Sequence, residues 1–236
     1  MLLYDFRKTN DFLLFKEKVN WKNVFIIFKR GFTTFAIAFL GIYIINAPKY
    51  AIDNYLPNNI QTIFGIIVMP ATVVSLVAQF LIHPFLNQIL KNYEQGKLKE
   101  VKKIMYKLIC ALLLFGIIAA VVAYAIGTQV LGLLYGLDLT KYKIELLTII
   151  IASTLYTIGI IHSSVLTTVR ETFSQFIIYI IISIFTLIVS NVFTKNWNLD
   201  GAVWAYLATM ALQFILYLIY TNVKLKIIFE KIKSVS

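Results

Sequence analysis

Apolar residues run in long unbroken blocks along this chain, and most charged residues fall between the blocks. Strict apolar–polar alternation would read as strand, whereas about 20 continuous apolar residues read as a helix long enough for a hydrocarbon core of ~30 Å. Six blocks fit the second description. They cover Val24–Ala47, Ile60–Leu90, Ile104–Leu134, Ile144–Val169, Phe173–Phe193 and Leu199–Thr221. The second and third are longer than a bilayer needs, so they should tilt or project into water. The expected fold class is an all-α membrane protein, a six-transmembrane-helix bundle spanning 24–221. A basic segment, 1–23, precedes it and a basic tail, 222–236, follows.

Composition narrows the class further. Of 236 residues, 60% are hydrophobic and 14% charged, and the mean hydropathy is +0.81. Soluble domains carry about 25% charged residues, and disordered chains are poor in hydrophobics, so both classes are excluded. A membrane barrel would show ~10-residue segments of alternating polarity, which are absent from the sequence. One cysteine, Cys110, forbids an intramolecular disulfide and reads as a small packing residue. The apolar pieces before Trp21 are too short for a signal-peptide core.

The net charge of +11 has an orientational reading. Basic residues mark the cytoplasmic side of membrane spans. Seven lie between Arg7 and Arg30, six in the stretch Lys91–Lys107, one at Arg170 and four in the tail from Lys224. The alternate loops hold Lys49, Lys141, Lys143 and Lys195. Six spans with both termini cytoplasmic account for the split, so no nucleic-acid partner is implied. Lys91–Lys107 reads as a helix continuing the second span. Leu98, Val101 and Met105 recur on one side of it, which suits an interfacial helix on anionic lipid or a partner site.

Small residues should let helices approach closely. Gly116, Ala120, Ala123 and Gly127 form one such stripe in the third span. Gly201, Ala205, Ala208 and Thr209 form another in the sixth. Ser153, Thr157, Ser164 and Thr168 share a face of the fourth, as helix contacts or as a hydroxyl-lined path. Pro70, inside the second span, should kink it.

Enzymatic chemistry is not visible. His83 and His162 belong to no metal motif, and adjacent His162 and Ser163 point to different helix faces. No phosphate loop occurs, so the chain reads as a non-enzyme with no catalytic residue, metal or cofactor. The acids Asp53, Asp138, Glu145, Glu171 and Asp200 all sit at block ends. The cations and histidines are therefore the candidates for a functional site. His162 lies within the fourth block, as a group bonded to a neighbouring helix or as one facing a lumen. His83 lies near the cytoplasmic interface. Arg30 either snorkels to headgroups or holds an anion. Lys49, with Tyr50 and Asp53, forms a polar cluster at the outer mouth.

The run Asn46-Ala47-Pro48-Lys49-Tyr50-Ala51-Ile52-Asp53 after an apolar span resembles a segment of bacterial Wzx-like polysaccharide flippases. These belong to the multidrug/oligosaccharidyl-lipid/polysaccharide exporter superfamily. Gly65 to Pro70 and on to Pro84, Glu94-Gln95-Gly96-Lys97, Leu131-Gly132-Leu133-Leu134-Tyr135-Gly136 and Leu199-Asp200-Gly201-Ala202 follow in the same order. The resemblance covers nearly the whole chain. It implies the C-terminal half, one six-helix lobe of a two-lobe transporter, whose partner is a second lobe or a second copy. It implies a bacterial cytoplasmic membrane and a cargo of undecaprenyl-pyrophosphate-linked oligosaccharide, flipped by alternating access. A pyrophosphate headgroup needs cations, for which Arg30, Lys49 and Arg170 are the first candidates and His83 and His162 the next. A multidrug exporter and a non-transporting assembly protein of polysaccharide synthesis are the alternatives.

Overall fold

The computed structural model describes residues 21–233, so the basic segment before Trp21 and the last three residues lie outside the described residues. Among the described residues there is no strand. Helix α1 covers Trp21–Tyr55 and α2 covers Asn58–Glu94. Helix α3, Leu98–Val122, passes through a π-helical turn at Ala123–Gly127 into α4, Thr128–Tyr135. A short 3-10 turn, Thr140–Tyr142, leads into α5, Lys143–Thr168. The last element, α6, is Thr172–Lys233.

Helix α1 outruns the expected end at Ala47. It passes through Pro48 and stops at Tyr55. A proline removes one helical bond, but Ala47, Pro48, Ala51 and Ile52 are buried, and that packing holds the turns after it. The stop comes from Pro57, which disfavours helical backbone in Leu56 before it.

The stretch Lys91–Lys107 is not one helix. Gly96 takes φ 70°, Lys97 N–H donates to Asn92 C=O at 2.8 Å, and Gly96 N–H to Tyr93 C=O at 3.0 Å. This paired-bond ending needs a residue in the left-handed region, where glycine costs least. Leu98, Val101 and Met105 then turn inward and join Ile82 and Ile89 of α2 and Ile161 of α5 in a core cluster. Their face packs on protein rather than on lipid, while Lys99, Lys102 and Lys103 stay exposed.

The long α6 is a hairpin. Its backbone leaves helical geometry at Trp197 (φ −126°, ψ 19°) and Asn198 (φ 51°, ψ −131°). Cross-limb partners lie almost equally far on either side of that break. Thr186 Oγ1 donates to Thr209 Oγ1 at 3.2 Å, and the rings of Tyr179 and Tyr217 meet edge to face at 6.1 Å. A Cβ on Gly201 would run into the backbone of Phe193 and Thr194, which only a glycine at this approach avoids. Limbs 172–196 and 199–233 are therefore antiparallel neighbours.

Helix α5 is the centre, packed against α2, α3 and both limbs of α6, while α1 leans mainly on α6. The small residues of α3 and of the π-helical turn meet α5 directly. A side chain at Gly116 would overlap Thr154, and one at Gly127 would press on Leu146. Ser153 and Thr157 are buried and donate back to carbonyls of α5 itself, whereas Ser164 and Thr168 are half-buried, with Thr168 donating to the Ser164 carbonyl. Large apolar side chains such as Phe80 and Leu133 point outward, an arrangement suited to lipid rather than water.

Candidate functional site

Polar groups collect where α1 and α2 stand apart. A cleft of about 310 Å³ opens there. Ile45 of α1 forms one wall, and Thr72, Ser75 and Gln79 line the wall of α2. Tyr156 of α5 and Tyr206 of α6 close it from within. Helical spacing explains the α2 wall, because positions three to four apart share a face. The Thr72 hydroxyl donates to the Met69 carbonyl at 2.6 Å, and Ser75 to the Ala71 carbonyl at 3.0 Å. Both oxygens keep acceptor capacity. The surface combines hydroxyls, an exposed amide and two aromatic rings near the middle of α2. Such a lining hydrogen-bonds polyhydroxylated solutes and stacks on their apolar faces.

The five candidate residues are placed unequally around this cleft. Lys49 follows Ile45 by four residues on α1, and His83 follows Gln79 by four on α2. Each is exposed, and each extends a cleft wall by one helical turn, toward opposite ends. Arg170 is exposed in the turn between α5 and α6, with φ 63°. Arg170 N–H donates to Thr167 C=O at 3.0 Å, and Glu171 N–H to Leu166 C=O at 2.9 Å. It fills the helix-ending position that glycine fills at Gly96. His162 is 2% exposed, and neither ring nitrogen has a partner among the described residues. Arg30 belongs to α1, but its side chain lies outside the described residues.

Tyr156 and Tyr206 were not legible as site residues. Each sits in an apolar block of the sequence, and only the packing of α5 against α6 places both at the cleft. Beside them runs a buried polar seam. Ser163 donates to Gln175 Oε1 at 2.8 Å, and Gln175 Nε2 donates to Thr167 at 3.0 Å. Gln213 Oε1 is buried without a partner among the described residues, and the buried Tyr217 hydroxyl lies beside Ser163 and Tyr179.

A smaller pocket of about 230 Å³ lies at the far end of α5 from Arg170, with Glu145, Thr148, Asp200 and Trp204 among its lining. Glu145 Oε2 is buried there, and the Glu145 carboxyl interacts with that of Asp200. The two acids look like separate block ends in the sequence, and the fold puts them in one pocket.

Compared with protein-family models, curated proteins and solved structures, the chain matches none. The fold defines an all-α protein in which, among the described residues, five helical segments are long and apolar enough to cross a membrane. That is the construction of a multi-pass membrane protein.

Proposed function

We propose that this chain is one lobe of a transporter that flips lipid-linked oligosaccharide across a bacterial cytoplasmic membrane. The observation that carries the reading is the α1–α2 cleft, with hydroxyls, an amide and tyrosine rings at mid-helix depth. Polar groups facing out at that depth are costly in lipid and useful to a sugar. Lys49 and His83, a turn beyond it on either side, supply charge or hydrogen bonds for a phosphorylated headgroup.

The reading includes six crossings with both termini on the cytoplasmic side. The break at Trp197–Asn198 supports two crossings within α6, and the distribution of lysines supports the orientation. Single cysteines at Lys97 and Lys195 in a Cys110→Ala background test it. An impermeant thiol reagent on intact cells should label the Lys195 position alone, and labelling at Lys97 overturns the orientation.

Transport is tested in flippase-deficient cells supplied with whatever second lobe the system requires. Gln79→Leu, Tyr156→Phe and Tyr206→Phe should lower surface glycan while membrane insertion is unchanged. Unchanged glycan in all three removes the cleft from the mechanism. The Glu145–Asp200 pocket beside Trp204 favours a second reading, export of organic cations. Under that reading Glu145→Gln abolishes efflux of a cationic dye and leaves surface glycan intact.

A further inference from the structure

The first half of α1 carries a row of outward-facing side chains at alternating steps of four and three. Trp21, Phe25, Phe28, Phe32, Phe35, Phe39 and Ile42 are each 50–76% exposed. Phe28 stands 6.1 Å from Phe32, and Phe35 stands 6.5 Å from Phe39. The spacing averages 3.5 residues over three heptads. That is the repeat that keeps a seam facing a partner helix, whereas a straight helix drifts about 20° per heptad away from it.

The next position in the same register is Asn46. A lone asparagine at the first core position of a heptad fixes register and strand number in parallel coiled coils. Asn46 is half-buried, and its Nδ2 donates to the Ile42 carbonyl at 2.8 Å, which leaves Oδ1 for a partner. Gly31 and Ala38, at flanking heptad positions, add little bulk beside the seam.

We propose that this seam is where α1 pairs in parallel with α1 of a second copy of the chain. At about 200 Å² per large aromatic side chain, the exposed fractions of the six aromatics leave about 770 Å² on each protomer. A standard stable interface takes about 800 Å² per partner. A two-fold axis along the membrane normal satisfies an isologous contact, because both copies share one orientation. The proposal rests on the lobe reading given above and supplies the surface by which a second lobe attaches.

Cysteine cross-linking in native membranes tests it in a Cys110→Ala background, with a short bismaleimide. Phe32→Cys, Phe35→Cys and Phe39→Cys should give dimers of twice the chain mass. Thr34→Cys and Ile37→Cys, off the seam, should give at least tenfold less, as should the lipid-facing control Leu133→Cys on α4. Equal cross-linking at all positions, none at the seam, or adducts of another mass would falsify self-pairing. Alanine at Phe32, Phe35 and Phe39 together should convert the detergent-extracted dimer to a folded monomer. Retention of the dimer also overturns the proposal. Cross-linking reads association and surface glycan reads transport, so either reading can fail without the other.

Discussion

Lys224 Nζ lies 2.6 Å from Glu171 Oε1, tying together the two open ends of the α6 hairpin. The Tyr220 hydroxyl adds to the clasp, 2.6 Å from Ser174 Oγ and 3.3 Å from Glu171 Oε2. The Lys224 ammonium, more than any other neighbour, holds the Glu171 carboxyl below the usual glutamate range. A depressed folded value means the stabilisation is fully present above the unfolded value of about 4.3. It fades as pH falls through the lower folded value. Both side chains are about a quarter exposed, so the pair contributes about 1 kcal/mol or less. Lys224→Met should lower the thermal midpoint in mild detergent at pH 7, and the gap between the two proteins should shrink steadily as the pH falls below the usual glutamate range. A gap that does not shrink on acidification places the effect elsewhere.

Arg170 occupies left-handed backbone, which costs a side-chain-bearing residue about 1–2 kcal/mol. Arg170→Gly should therefore raise stability by about 0.5–1 kcal/mol, read as a higher midpoint in thermal melts. Arg170→Val should lower it. If the guanidinium also contacts an anionic headgroup, the glycine variant gains stability while surface glycan falls.

Gly116 has no room for a side chain beside Thr154. Gly116→Ala should destabilise by about 1–3 kcal/mol through overpacking. Thr154→Ala in the same chain should recover most of that loss. A double-mutant cycle measures the coupling, and additive effects would show that the two helices are not held at this contact.

His162 is buried with both nitrogens unpartnered. A buried donor without a partner costs about 1–3 kcal/mol, so His162→Leu, of similar bulk, should raise the thermal midpoint. A lower midpoint would mean that the ring is hydrogen-bonded to water in the membrane-embedded protein.

Much of the fold is legible in the sequence because long apolar blocks leave little choice but helix. The break at Trp197–Asn198 falls in the polar gap expected between Phe193 and Leu199. The turn at Gln95–Lys97 was lost because helix-forming lysines on both sides make one continuous pattern, and a single Gly96 ends it only through its left-handed backbone. The helix continues past Ala47, where the apolar block ends, because burial of Ala47 and Ala51 outweighs the one bond missing at Pro48. The cleft could not be read from spacing. Gln79, Tyr156 and Tyr206 are far apart in the chain and come together only through the central position of α5. The aromatic row of α1 was in plain sight, but inside an apolar block its period merges with the surrounding hydrophobics until exposure separates them.

The even spacing of partners about the Trp197–Asn198 break restricts how α6 can change in length. One residue gained or lost at the bend leaves each limb's own face intact. One gained between Asp200 and Thr209 turns everything beyond it by about 100° relative to the bend. Gln213, Tyr217 and Thr221 would then swing together from the sealed seam toward hydrocarbon. The bend is thus the one place in α6 where natural length variation should accumulate, and the limbs should tolerate substitution far better than insertion.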